Sequence, residues 1–194
     1  MSGNKRAVKK MSARQSKKTI SAPKQSVKVF ISHSSKDSEF VRLIVDFLET
    51  SELEPHEIRC TSVARRGLRL GEDISYTLRD EIEESLIIIG LLTKDALSSY
   101  NVLMELGAGW GQKKILIPVL GPRVSFSTLP IWLSQPHGMK WNHRACWEQY
   151  EEILQSEIGK QIVNKGRFNR IIAKLISWEP WQALEARGAK RHRS

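Results

Sequence analysis

One carboxylate, Glu105, interrupts a segment of otherwise apolar, small or uncharged polar residues, SSYNVLMELGAGWGQ at 98–112. Residues three and four apart share a face of a helix, which places Glu105 on a short, mildly polar stripe with Ser98, Asn101, Ala108, Gly109 and Gln112. The other side is apolar and is predicted to contact the core through Val102, Leu103, Leu106 and Trp110. A solvated helix face would carry Lys, Arg and more Glu. The stripe therefore predicts the wall of a cleft that contains one acid.

A glutamate on a helix is most often a solvated surface residue. The small residues beside Glu105 make a role in a cleft an equally good interpretation. The glycines that follow, GAGWG at 107–111, do not form a dinucleotide-binding fingerprint, because that motif directly follows a strand and opens a helix. Their predicted role is close packing of the helix on a sheet.

The other candidate groups are less specific. The five histidines show no metal-ligand spacing with one another or with the cysteines, so no metal site is predicted. Cys60 has no implied base nearby and is predicted to be a small, buried, apolar residue. The arginines of ARRGLRLG at 64–71 lie in a predicted loop. Their side chains are either solvated or recognise a phosphate or an acidic surface of a neighbouring subunit, and the sequence leaves both interpretations open.

Charge is unevenly distributed along the 194 residues. Residues 1–28 contain nine Lys or Arg and no acid, and residues 160–194 contain nine against two acids, whereas 29–159 contain 13 bases and 19 acids. The net charge of +10 therefore reflects basic ends, and it is weak support for a nucleic-acid-binding fold. Residues 1–26 have few large apolar side chains, which predicts a basic disordered tail.

Several features indicate a cytoplasmic protein. No apolar run reaches 18 residues, so no membrane span is predicted. The charged N-terminus is not followed by the apolar stretch of a secretory signal. Two cysteines, Cys60 and Cys146, fit a reducing compartment better than a disulfide framework.

Strand and helix patterns alternate from residue 27 onward. The predicted strands are VKVFIS (27–32), EIRCTSV (57–63), LIIIGLLT (86–93) and KILIPVL (114–120), with a short fifth near Met139. Helical spacing marks 36–50, 74–86, the Glu105 segment, 147–154 and 168–175. This alternation predicts an α/β fold with a central parallel sheet of about five strands and helices on both faces. Ligands of such sheets bind beyond the carboxyl ends of the strands.

Together, three motifs resemble the Toll/interleukin-1 receptor (TIR) domain of the bacterial type, over roughly 27–155. KVFISHSSKD (28–37) resembles the family's first box, and RRGLRLGEDI (65–74) lies where the family has its BB loop. SSYNVLMELGAGWG resembles the segment with the catalytic glutamate, which falls on Glu105. The resemblance implies a flavodoxin-like TIR domain at 27–160, followed by a C-terminal helix and basic tail at 161–194.

The resemblance also implies an activity. Catalytic TIR domains cleave the nicotinamide–ribose bond of NAD+, which would be the substrate here, with no separate cofactor. Glu105 would be the catalytic residue, and the substrate-binding residues would be His33, Ser34, Ser35, Gly71 and Asn101. Many members have an aromatic residue four positions before the glutamate, where this chain has Asn101. This N-x-x-x-E-L-G arrangement also resembles nucleoside deoxyribosyltransferases.

The product would be nicotinamide with linear or cyclic ADP-ribose, and the implied role is bacterial anti-phage signalling. Activity would require self-association with other TIR domains, in which the BB loop of one copy completes the site of the next. The alternative is a non-catalytic TIR scaffold that acts through TIR–TIR contacts. Nucleic acid or an anionic membrane surface is a third class of partner, which the basic tails leave open, although no aromatic residue precedes Phe30.

Overall fold

The computed structural model describes residues 27–60, 74–134 and 138–191. At its centre is a five-stranded sheet made of β1 (Val29–Ser32), β2 (Ile58–Cys60), β3 (Ile87–Leu92), β4 (Ile115–Leu120) and β5 (Met139–Lys140). The strand order is β2-β1-β3-β4-β5, and all neighbouring strands are parallel. The predicted parallel sheet is confirmed, including the short strand at Met139.

The middle strand, β3, reads IIIGLL, and all six of its residues are buried. An unbroken apolar run is expected in a parallel strand whose two faces are both covered. β1 lies between β2 and β3, so the chain leaves β1 towards one edge of the sheet and later returns to add β3 on the other side. The loops after β1 and β3 therefore diverge, and this switch point is where sheets of this type bind ligands.

Helices cover both faces of the sheet, as predicted. One face is packed by α1 (Ser38–Leu48), α6 (Arg144–Ile153), α7 (Lys165–Ile176) and α8 (Glu179–Arg191). The other face is packed by α2 (Ile74–Glu84), α3 (Lys94–Leu97), α4 (Tyr100–Gly111) and α5 (Ile131–Ser134). Glu105 is therefore on a helix that packs on the second face.

The last two helices extend the core beneath α1. The apolar residues predicted for a helix near the C-terminus form the buried side of α7: Phe168, Ile171, Ile172 and Leu175. α8 was not predicted from the sequence. Its Trp181 stacks on Phe40 at a ring-centroid distance of 4.0 Å and meets Trp141 edge-on at 5.5 Å. Residues beyond 160 thus contribute aromatic side chains to the same core as α1.

Element ends differ from the predictions in three places. The helix predicted at 36–50 is α1 with a 3₁₀ turn on each side, Ser35–Asp37 and Glu49–Ser51. The second strand ends at Cys60, and the rest of its predicted range lies outside the described residues. Leu86 was predicted to be on the apolar side of α2, but that helix ends at Glu84 and the Leu86 side chain is 44% exposed.

The longest of the helices described, α8, has 13 residues. A transmembrane helix needs about 20 apolar residues. Across the described ranges, no helix is long and apolar enough to cross a membrane.

Candidate functional site

Glu105 and Ser32 form a buried polar pair at the carboxyl edge of the sheet. The Ser32 hydroxyl donates a hydrogen bond to Glu105 Oε2 at 2.5 Å. Ser32 is the last residue of β1 and is fully buried, and the Glu105 side chain is only 3% exposed. The pair joins the strand that precedes the switch point to the helix that follows β3. This position is the one predicted for a ligand site.

Burial changes the acid–base properties of Glu105. Loss of hydration disfavours the charged form of a carboxyl group. This effect raises the pKa of Glu105 from 4.5 to about 7, and the hydrogen bond from Ser32 opposes it. The carboxyl group therefore changes charge near neutral pH, as groups that take part in acid–base or electrostatic catalysis often do.

The buried face of α4 differs from the predicted stripe. Glu105 shares that face with Val102, Leu106 and Gly109, whereas Ser98, Asn101 and Gln112 are exposed. The predicted core contact of Trp110 is wrong, because its side chain is 54% exposed and lies beside Trp132 with ring centroids 6.2 Å apart. Compared with the prediction, α4 is rotated about its axis so that Glu105 faces the protein interior.

Two glycines explain how α4 approaches β3 so closely. A Cβ atom on Gly109 would lie 2.1 Å from Ile88 Cδ1, and one on Gly90 would lie 2.8 Å from Leu106 Cδ2. The predicted packing role of the glycine-rich segment is therefore confirmed at Gly109. Because helix and strand are in close contact, the position of the Glu105 backbone relative to the sheet is well defined.

His33 directly follows Ser32 and is also buried, at 3% exposure. Its Nδ1 lies 3.2 Å from the Ile31 carbonyl oxygen, which suits an Nδ1–H donor and a neutral ring. Burial lowers the pKa of His33 below 6.5, and the hydrogen bond to the Ile31 carbonyl opposes this change. The imidazole is therefore neutral at pH 7. At the end of β1, it adds a polar but uncharged group.

The other predicted site residues lie farther out or outside the described residues. Ser34 is half-buried, and its hydroxyl accepts a hydrogen bond from the Lys36 backbone N–H at 3.4 Å, which caps the 3₁₀ turn. Ser35 is exposed. Asn101 is exposed one helical turn before Glu105, towards the N-terminal end of α4. Gly71 belongs to 61–73, outside the described residues. The structure thus brings Glu105 next to the β1 end and leaves Ser35 and Asn101 on the surface.

A second buried pair joins the loops after β1 and β3. The Thr93 hydroxyl donates to Asp37 Oδ2 at 2.7 Å, and the Thr93 hydroxyl oxygen accepts a hydrogen bond from the Ala96 N–H at the start of α3. On the surface beside this pair, Lys36 Nζ lies 2.6 Å from Asp95 Oδ1. These contacts tie together the two loops that border the switch point.

Ser32 and Thr93 are the residues that sequence reasoning missed. Each is a hydroxyl residue at the end of an apolar strand, where an aliphatic residue would complete the hydrophobic run. That position was a usable signal, because a buried hydroxyl needs a hydrogen-bond partner. The partners themselves, Glu105 and Asp37, become apparent only once the strands are ordered in the sheet.

Within the described residues, the remaining candidates give no second site; the loop arginines Arg65, Arg66 and Arg69 lie outside the described residues. Cys60 is buried in the core beneath α1, and burial raises the pKa of its thiol to about 12, so the predicted apolar role is confirmed. Both cysteines are free thiols. Among the described residues, no group of three or more His, Cys, Asp or Glu side chains could hold a metal ion.

Comparisons with known proteins agree on the fold family. A family profile described as "TIR domain" matches residues 29–154. The TIR domain of the Toll-related receptor TRR-2 from Hydra magnipapillata superposes with a TM-score of 0.52 at 20% identity, over 69% of this chain and 99% of that domain. At this identity, the likeness concerns the fold alone.

Two further similarities are more limited. "Uncharacterized protein YddK" of Bacillus subtilis (strain 168) is 32% identical over 83 residues, which are 43% of this chain. The chain covers 31% of the length of that protein. The TIR domains of the activated Roq1 resistosome, which directly recognizes the pathogen effector XopQ, match with a TM-score of 0.44 at 18% identity, over 86% of this chain and 96% of that one. This last likeness is too distant to carry an argument.

Proposed function

The chain belongs to the TIR domain family, and we propose that it is an NAD+ glycohydrolase in which Glu105 acts on the nicotinamide–ribose bond. The observation that carries this proposal is the buried Glu105 carboxyl group, held by Ser32 at the carboxyl edge of β1 with a pKa of about 7. Among the described residues, no cationic side chain pairs with this carboxyl group, and a buried carboxyl group without such a partner is unfavourable for folding. Its presence at the switch point of the sheet supports a functional role.

The chemistry suits a site with one carboxylate. Most glycosidases need a second carboxyl group to protonate a poor leaving group. Nicotinamide instead leaves from a cationic pyridinium and departs as a neutral molecule, so it needs no proton. Water then adds to the ribose carbon and releases a proton, which gives ADP-ribose. The task left for Glu105 is to stabilise positive charge on the ribose as the bond breaks.

The raised pKa of Glu105 is compatible with that task. Only the ionised carboxylate stabilises the developing charge, and without substrate about half of the groups are ionised at pH 7. The cationic nicotinamide ring of NAD+ favours the ionised form of a nearby acid. Substrate binding would therefore promote ionisation, in a site where low polarity strengthens the interaction.

Neighbouring residues have supporting roles in this proposal. His33, Ser34, Ser35 and Asn101 would line the path of the substrate, and Gly71 would let the BB loop approach it. Because the His33 imidazole is neutral, it would not compete with the cationic substrate for the Glu105 carboxylate. Ser32 would position the carboxylate without contacting substrate. The product would be linear or cyclic ADP-ribose, released in anti-phage signalling after self-association.

The test is NAD+ consumption by the purified chain over a protein concentration series with a crowding agent present. Turnover per molecule should rise with concentration in the wild type and be absent in Glu105→Gln. Glu57→Gln is the matched control, since Glu57 is also buried but lies before β2, where it pairs with Lys28 at 2.5 Å. Turnover that survives in Glu105→Gln would overturn the assignment.

A non-catalytic TIR scaffold is the second candidate, and it is favoured by the small exposed fraction of Glu105, which limits the access of a substrate to the carboxylate. At 3% exposure the carboxylate is shielded from solvent, so substrate must open the structure around it. A scaffold would bind other TIR domains without consuming NAD+. Association that is identical in the wild type and Glu105→Gln, with no nicotinamide released at any concentration, would favour the scaffold.

A further inference from the structure

A cavity of about 440 Å³ opens where α4 ends and β4 begins. The described residues that line it are Trp110, Gly111, Lys113, Lys114 and Leu116. Because neighbouring strands are parallel, the start of β4 lies at the edge of the sheet opposite to Ser32, the last residue of β1. The cavity is therefore separate from the Glu105–Ser32 pair, and its volume is in the range of small-molecule sites.

An aromatic ring forms one side of this cavity. The Trp110 side chain is 54% exposed, so a second ring can lie on its indole. Leu116 is 7% exposed and adds a buried apolar surface. A Cβ atom on Gly111 would have no neighbouring atom within 4 Å beyond its own helix, so the space next to the indole is open. Stacking on exposed aromatic side chains is a common way to bind planar rings such as nucleobases.

Two ammonium groups line the same cavity. Lys113 is exposed, and Lys114 is half-buried with its Nζ donating to the Glu83 carbonyl oxygen. An ammonium group has three N–H donors, so Lys114 keeps two for another partner. Within the ranges that the structure describes, neither lysine forms an ion pair, and no acid lines the cavity. The cavity therefore combines an aromatic surface with uncompensated positive charge.

The turn after α4 fixes the position of the two lysines. The Lys113 N–H donates to the Trp110 carbonyl oxygen at 3.0 Å. The Lys114 N–H donates to the Gly109 carbonyl oxygen at 3.0 Å, which completes a Schellman motif. Lys113 has a φ of 58°, in the left-handed region where glycine is the usual residue. The dipole of α4 explains a lysine near this helix end but not its left-handed backbone, which supports a functional role for the side chain.

We propose that this cavity binds a small aromatic ring that carries a phosphate group, as in a nucleoside monophosphate. The ring stacks on Trp110, and the phosphate oxygens accept hydrogen bonds from Lys113 and Lys114. Two ammonium groups match the charge of a phosphate better than that of a carboxylate, which carries a single negative charge. The proposal goes beyond the NAD+ reaction and does not rest on it, because the cavity shares no residue with the Glu105–Ser32 pair.

The surroundings of the two lysines favour a small ligand over a nucleic-acid strand. A strand binds along a basic groove that follows its backbone over several nucleotides. α4 contains no Lys or Arg. The last turn of α2, where Lys114 Nζ is bound, carries Glu83 and Glu84. A polyanion that extended past the cavity would meet these acids, whereas a single phosphate group would not.

Isothermal titration calorimetry with adenosine monophosphate tests the chemistry of the cavity. The wild type should bind it at least tenfold more tightly than adenosine or inorganic phosphate, because each of those probes occupies only half of the site. Trp110→Leu, Lys113→Gln and Lys114→Gln should each weaken binding of the nucleotide at least tenfold. Lys174→Gln is the matched control, because it removes an exposed lysine of α7 on the other face of the sheet and should leave binding unchanged.

The indole N–H resonance of Trp110 shows where the nucleotide binds. In proton–nitrogen NMR spectra of the full chain, it is the indole signal that Trp110→Leu lacks, and the remaining signals show whether each variant is folded. Adenosine monophosphate should shift this resonance saturably, in the wild type and in Glu105→Gln alike.

Three results would overturn the proposal. The first is a Trp110 resonance that does not move when the nucleotide is added. The second is binding that is no tighter for the nucleotide than for adenosine, or that is unchanged in both Lys113→Gln and Lys114→Gln. The third is a single strand of about 12 nucleotides that displaces the nucleotide and binds more tightly, since the cavity would then be part of a nucleic-acid groove.

Discussion

Ser32 and Glu105 are 73 positions apart in the sequence, and their side chains meet in a hydrogen bond of 2.5 Å inside the protein. The contact links the end of β1 to the middle of α4. It supplies one donor to a carboxyl group that has otherwise lost its hydration, and the pKa of Glu105 near 7 reflects both effects. The first two predictions below depend on this pair.

The first concerns stability and pH. The folded state holds the Glu105 proton up to about pH 7, whereas the unfolded chain releases it near pH 4.5. Tighter proton binding by Glu105 in the folded state therefore adds roughly 3 kcal/mol to the free energy of unfolding below pH 4.5. This contribution is lost as the pH rises through 7. Glu105→Gln removes the titrating group, so urea unfolding should show its stability relative to the wild type increasing from pH 5 to pH 8. A constant difference over that range would contradict the shifted pKa.

The second concerns Ser32. Ser32→Ala removes the hydrogen bond that favours the ionised carboxylate, so the pKa of Glu105 should rise further. Hydrogen bonds to charged groups contribute about 1.5–3 kcal/mol, which corresponds to about one to two pH units. In the proposed reaction, the acidic limb of the kcat/KM profile should move to higher pH by that amount.

Ser85→Ala is the matched control for Ser32→Ala. Ser85 is fully buried and donates to the Ile82 carbonyl oxygen at 2.8 Å, so its partner is a backbone carbonyl and not a carboxylate. Loss of the Ser85 hydroxyl should lower the free energy of unfolding and leave the pH dependence of kcat/KM unchanged. A profile that is the same in Ser32→Ala and the wild type would show that Ser32 has no influence on the titrating group.

The third prediction concerns the link between the two loops. Thr93→Val keeps the shape of the side chain and removes its hydrogen bond to Asp37. A buried carboxyl group that loses a donor costs about 1–3 kcal/mol of stability. A double-mutant cycle with Asp37→Asn should therefore show coupling of about 1 kcal/mol in urea unfolding. Additive effects would mean that the contact contributes nothing to the loop junction.

The fourth prediction concerns α8. Trp181 is 6% exposed and stacks on Phe40, so Trp181→Ala should leave a cavity in the core beneath α1. The expected loss is about 3–5 kcal/mol in the free energy of unfolding. Trp110→Ala is the control, since Trp110 is half exposed and should cost far less. Equal losses in the two variants would contradict the packing of α8 on the core.

The sequence predicted the sheet well because its strands are strongly apolar. LIIIGLLT has the composition of a strand covered on both faces, and it is the middle strand of the sheet. The motif order KVFISHSSKD, then SSYNVLMELGAGWG, was sufficient to identify the family. Local patterns of this kind depend on a few neighbouring residues, so they can be recognised without knowledge of tertiary contacts.

The orientation of α4 was harder to predict, because nearly all of its residues are small or apolar. With no charged face to mark the solvent side, the helical spacing allowed Trp110 to be assigned to the core and Glu105 to a cleft. The packing of α4 on the sheet gives a different rotation of the helix. Gly109 fits against Ile88, so Trp110 is exposed and Glu105 is turned inward towards Ser32. Such a rotation follows from shape, which sequence spacing does not specify.

Nicotinamide release reports directly on whether Glu105 is needed to break the nicotinamide–ribose bond. Purified wild type, Glu105→Gln and Glu57→Gln would be incubated with NAD+ at equal concentrations of folded protein. The proposed role of Glu105 predicts that the wild type and Glu57→Gln release nicotinamide in step with NAD+ loss, and that Glu105→Gln releases none. Release by Glu105→Gln at the wild-type rate would contradict it, because the buried carboxylate would then have no part in the reaction.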